Sequence, residues 1–104
     1  MRLWPSKGNG LPVRVAIRIH AVLGTRYVSL HEEAELPAGS AVRDLINSLR
    51  RAGKIDEEAY SVVAGVRPPL TLLVNGENLN HRRREKIPLA NGDVVTIFTP
   101  TTGG

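Results

Sequence analysis

Between Val13 and His20 the chain alternates without a break. Val13, Val15, Ile17 and Ile19 are aliphatic, and Arg14, Ala16, Arg18 and His20 stand between them. A period of two places the aliphatic side chains on one face of an extended strand, so this segment demands a sheet with one buried side. Val94 to Thr99 (VVTIFT) repeats the β-branched chemistry near the other end of the chain, and both runs are apolar enough to sit centrally. A partner strand is expected at Tyr27 to Leu36, where Val28, Leu30, Ala34 and Leu36 share one parity that Glu32 interrupts. Gly24 lies between the two runs, so an antiparallel hairpin is expected.

The period then changes. After Pro37-Ala38-Gly39, Val42, Leu45, Ile46 and Leu49 fall at i, i+3, i+4 and i+7, which predicts a helix laid on the sheet. Ser40 is the expected cap of its first turn, Arg50 and Arg51 suit the negative end of its dipole, and Gly53 can close it in a left-handed conformation. Asp56-Glu57-Glu58 can open a second, short helix through Val63, which Gly65 and Pro68-Pro69 would end. Leu70 to Val74 is an apolar run followed by Asn75-Gly76, a pair that tolerates positive φ and favours a tight turn. Asn91-Gly92-Asp93 predicts another turn directly before the last strand, and Pro100, lacking an amide hydrogen, should stop pairing there.

The resulting order is an α+β fold in two layers: a mixed four- to five-stranded sheet with one main helix packed across it. At 104 residues there is room for one domain. Its organisation is expected to be a flexible extension at 1–12, a folded unit at 13–99 and a flexible tail at 100–104.

Several function classes fall away on composition. Without cysteine there is no disulfide framework, thiolate chemistry, zinc finger or cysteine-ligated cluster. No apolar run approaches the roughly 18 to 20 residues of a membrane span, and arginines interrupt every candidate signal sequence, so no membrane partner and a cytoplasmic location are expected. The net charge is +4, and the first carboxylate is Glu32. That basic half would suit a nucleic acid, an anionic substrate or an acidic protein. With only Trp4, Tyr27, Tyr60 and Phe98 as aromatics, stacking on single strands is disfavoured and nucleic acid is not the expected partner.

No catalytic constellation is found. His20, His31 and His81 are widely spaced, HExxH, Walker A and GxSxG motifs are missing, and His31-Glu32-Glu33 reads as a solvated turn before it reads as a metal site. The run His81-Arg82-Arg83-Arg84-Glu85-Lys86 is either a phosphate-contacting patch or a solvated loop. The tail Thr101-Thr102-Gly103-Gly104 also has two readings. It is a frayed end, or it is an arm whose glycines pass through a channel too narrow for side chains. Extended from Thr99, it would reach about 20 Å. A carboxylate at its tip is a poor acyl donor until activated, for instance as an acyl adenylate.

Three segments together give a family resemblance: residues 36 to 46 (LPAGSAVRDLI), residues 73 to 77 (LVNGE), and the ending that runs from Pro88-Leu89-Ala90-Asn91-Gly92-Asp93 through Pro100 to Gly103-Gly104. They resemble the ubiquitin-like β-grasp sulfur carriers of the MoaD/ThiS family, most closely the small subunit of molybdopterin synthase. The resemblance implies a ubiquitin-like β-grasp and a non-enzymatic role. In that role Gly104 is adenylated by a ubiquitin-activating-type (MoeB/ThiF-like) enzyme using ATP and converted to a thiocarboxylate. No cofactor would be bound by this chain, and Gly103 would thread beside the reacting residue. The MoaE-like large subunit would supply the catalytic residues that use the sulfur to build the dithiolene of the molybdenum or tungsten cofactor. Family interface positions carried over to this sequence are Phe98, which packs on the partner or in the core, His20, which stands where an aromatic is usual or simply ends a strand, and Leu79. Thr101 and Thr102 would form the approach to the glycines. A thiamine-pathway or tRNA-thiolation carrier and an archaeal-type protein modifier share the same tail chemistry.

Overall fold

In the computed structural model, residues 11–23, 25–64, 70–78 and 88–100 are described. Strand β1 (Val13–Leu23) and strand β2 (Arg26–Leu36) form the expected antiparallel hairpin, with Val13 opposite Leu36 and Leu23 opposite Arg26. β1 runs three residues past His20. Ala21-Val22-Leu23 breaks the polar–apolar alternation, yet cross-strand pairing to Val28, Tyr27 and Arg26 holds it extended. Helix α1 (Val42–Arg51) and short helix α2 (Glu57–Val63) follow. Then come β3 (Thr71–Val74), the two-residue β4 (Glu77–Asn78) and β5 (Val94–Phe98).

The five strands lie in the order β2-β1-β5-β3-β4, so the two most β-branched strands are central, and they are parallel to one another. Burial follows the pleat. Val15, Ile17, Ile19 and Ala21 of β1, Leu72 of β3 and Val95 and Ile97 of β5 face the helices and are sealed from solvent. Val42, Leu45, Ile46 and Leu49 of α1 and Ala59 and Val63 of α2 close the same core. Glu32 is the one break in the β2 pattern. It lies opposite Ile17 on the helix side, and its carboxylate is 3.7 Å from the Lys54 ammonium, just past the end of α1.

The helix start differs from expectation. The capping position is Ala41, not Ser40, and its amide is held at 2.8 Å by the Asp44 carboxylate from within the first turn. Ser40 is committed to the backbone instead. Its amide donates to the Pro37 carbonyl at 3.1 Å and its carbonyl accepts from Leu89 at 2.7 Å, stitching the approach to β5 onto the helix. The C-terminal reading holds: Gly53 has φ +75° and follows Arg50 and Arg51.

Asp56 caps α2 by accepting from the Ala59 amide at 2.8 Å. Tyr60 donates to Asn47 at 2.5 Å, and Arg50 binds Glu57 at 2.9 Å, fastening α2 to α1. From the β1–β2 hairpin, Arg26 reaches Asp56 at 3.0 Å and Glu58 at 2.9 Å. The Ala59 amide and then the Arg26 guanidinium hold the Asp56 carboxyl below its ordinary value. These features make up the α+β β-grasp architecture that the resemblance implies, with five strands.

Candidate functional site at the exit of the central strand

Because β5 is central, the described chain ends at the middle of the sheet. The last described residues, Thr99 and Pro100, stand there. The parallel register pairs His20 with Phe98, and the ladder continues as the Thr99 amide donates to the His20 carbonyl at 3.0 Å. One step further the pattern changes. Val22 donates its amide to the Thr99 hydroxyl at 3.0 Å. In a continuing parallel ladder that amide would bond the Thr99 carbonyl. The side chain therefore takes over the acceptor role at the last paired position, and Pro100 follows with no donor of its own.

The start of β5 is fixed as tightly. Asn75 and Gly76 both adopt positive φ (+52° and +88°), as the tight turn requires. The Asn75 carboxamide accepts from the Val94 amide at 2.9 Å and donates to Asp93 at 2.8 Å. The other Asp93 oxygen accepts from the Ala90 amide at 2.7 Å. Asn91 accepts from the Arg14 amide at 2.8 Å, tying the same turn to β1. Both ends of the exit strand are thus anchored by side chain–backbone bonds.

Among the described residues, nothing covers the sheet face opposite the helices around the end of β5. Phe98 has the opposite parity to Val95 and Ile97 and lies on that open side, half-buried, beside His20, which is also half-buried. Core packing is therefore excluded for Phe98. Thr71 lies next to Phe98 from β3, and Leu73 next to Thr96. Val22 and Tyr27 join the face from the hairpin, 52% and 63% exposed. Sequence reasoning missed Val22 and Tyr27, although continuing the β1 parity from His20 to Val22 identifies the first of them. The described residues hold no group of three histidine or acidic side chains able to bind a metal, and none of their helices is long and apolar enough to cross a membrane.

Among the other candidate residues, Leu79, Thr101, Thr102, Gly103 and Gly104 lie outside the described residues, as do Arg82, Arg83 and Arg84 and residues 1–10 of the expected 1–12 extension. The structure brings together His20 and Phe98, flanking the base of the C-terminal segment.

The backbone is similar to the solution structure of the Haloferax volcanii HVO 2177 protein. The two are 24% identical over 100% of this chain and 98% of that one, with a TM-score of 0.54. It is also similar, at 19% identity over 91% of this chain and 100% of the other, to the small archaeal modifier protein 1 from Methanosarcina acetivorans, with a TM-score of 0.49. No curated protein is matched by the sequence. The model of the ThiS family matches residues 21–104, most of the sheet, both helices and the glycine ending, and by that match the chain belongs to the ThiS family.

Proposed function

We propose that this protein is a sulfur carrier whose Gly104 carboxylate is converted to a thiocarboxylate, and that it serves molybdopterin synthesis as the small subunit of the synthase. The observation that carries this reading is the family match running through residue 104, on a fold whose central strand leads straight into the glycine-ended segment. A carboxylate has to be activated before sulfur can replace its oxygen. An adenylating enzyme supplies ATP, the Gly104 carboxylate attacks its α-phosphorus, and pyrophosphate leaves. Hydrosulfide released by the sulfur donor then attacks the acyl carbon and expels AMP, leaving the thiocarboxylate. The body of the protein contributes delivery. His20 and Phe98, with Val22 and Tyr27, form the face on which the adenylating enzyme or the large synthase subunit rests while the tail enters its active site. The acid–base residues and metal ions of these steps belong to those partners.

The experiment is intact mass spectrometry of the full chain after incubation with its cognate adenylating enzyme, ATP and a sulfur donor. Conversion adds about 16 Da, the difference between sulfur and oxygen, and requires an activated acyl group. Removing Gly103 and Gly104 should abolish the gain, and an unchanged mass with a competent enzyme overturns the reading. Addition of the converted protein to large subunit and the pterin precursor should yield the dithiolene. If it instead yields only lysine-linked adducts in cell extract, the chain is a protein modifier.

A further inference from the structure

His20 on β1 and His31 on β2 both project from the open face. They are diagonal neighbours: the register pairs His20 with Ser29 and Arg18 with His31. Their Nε2 atoms are 2.9 Å apart, with the rings perpendicular and their centroids separated by 4.9 Å. The other nitrogen of His20, Nδ1, is 3.1 Å from the Tyr27 hydroxyl. When Nδ1–H donates to that oxygen, the His20 Nε2 is left with its lone pair turned toward the Nε2 of His31. At this distance a proton on the His31 Nε2 closes the gap as an ordinary hydrogen bond, and a cation that displaces that proton meets a lone pair from each ring.

We infer that His20 and His31 form a two-histidine site for a divalent transition cation, Cu(II) or Ni(II), with Tyr27 as its positioning residue. The spacing supports the choice of metal. With metal–nitrogen bonds of about 2.0 to 2.1 Å, two imidazoles at a right angle have nitrogens about 2.9 Å apart, whereas a tetrahedral angle requires about 3.3 to 3.4 Å. The observed separation is that of adjacent corners of a square or octahedron, the geometry Cu(II) and Ni(II) favour with nitrogen donors. A hydrogen-bond partner on the far nitrogen is the usual means of fixing a ligating histidine's tautomer and ring orientation, and the Tyr27 hydroxyl occupies that place. Two protein ligands leave the remaining positions to water. The Arg18 guanidinium, exposed on the strand position across from His31, opposes cation binding and keeps the affinity modest. This site does not depend on the chemistry of the tail.

The test is a titration of the full chain, stripped with chelator, with Cu(II), followed by visible absorption and by nitrogen hyperfine structure in electron paramagnetic resonance. One equivalent bound through two nitrogens is expected. His20→Ala and His31→Ala should each weaken binding at least about tenfold, and Tyr27→Phe by up to about tenfold. Arg18→Gln should tighten binding, and His81→Ala should leave it unchanged. Circular dichroism of each variant, with His20→Asn and His31→Asn as milder replacements, separates ligand loss from unfolding. No binding at tenfold excess, or binding that survives both histidine substitutions, overturns the proposal.

Discussion

Asn75 lets the anchoring of the central strand be measured. Replacing it with alanine removes the acceptor for the Val94 amide, at 2.9 Å, and the donor to the Asp93 carboxylate, at 2.8 Å, while leaving its own amide bonded to the Val94 carbonyl at 2.8 Å. A neutral hydrogen bond contributes about 1 kcal/mol, and the bond to the carboxylate, screened by water on an exposed turn, is discounted to about the same. Alanine at φ +52° adds roughly 1 kcal/mol of backbone strain that glycine escapes. Asn75→Ala should therefore destabilise by about 3 kcal/mol and Asn75→Gly by about 2, against a total of about 5 to 15 kcal/mol for a domain. Asn75→Asp keeps an acceptor for Val94 but sets one carboxylate against another, so it should fall below glycine. Urea unfolding at neutral pH, with Asp93→Ala and the double variant completing a cycle, measures each term. The coupling between Asn75 and Asp93 should be about 1 kcal/mol. Equal losses under about 0.5 kcal/mol for alanine and glycine would show that neither the turn conformation nor the carboxamide holds β5.

Other consequences follow from the same interactions. Leu45, fully buried between α1 and the sheet, should cost about 2 to 5 kcal/mol when cut to alanine, read as a lowered urea midpoint with unchanged slope. Asp56 has its carboxyl held low, so its contribution is complete above the unfolded value of about 3.9 and is lost as the pH falls through the folded value. Asp56→Asn should thus lower stability most at neutral pH, where the wild-type contribution is complete, and flatten the acid limb below about pH 4, where the two proteins converge. Thr99→Val removes the acceptor at the last paired position of β5. It should cost about 0.5 to 1.5 kcal/mol and speed exchange of the Val22 amide, and Thr99→Ser should restore both.

Much of this molecule is legible in its periodicities because the forces behind them are local. The parity of Val15, Ile17 and Ile19 and the spacing of Val42, Leu45, Ile46 and Leu49 state which face each element buries. The positive φ of Gly53 and Asn75-Gly76 follows from residue chemistry alone. Parity also places Phe98 on the open side, once Val95 and Ile97 are assigned to the core. Contacts across strands are less accessible. The approach of His31 to His20 depends on a hairpin register that no single segment encodes. The helix cap stands at Ala41 rather than Ser40, and the Ser40 carbonyl accepts instead from Leu89, a residue far along the chain that no local pattern brings there. The exposure of Val22 requires β1 to extend beyond its alternating stretch, which only pairing with β2 enforces.

The parallel alignment of β1 with β5 has a practical consequence. Parallel neighbours point the same way, so Val13 lies toward the edge of the sheet where β5 starts, and Leu23 and Phe98 lie toward the opposite edge. A fluorophore placed at the exposed Leu11 therefore stands about a strand length from Phe98 and Thr99.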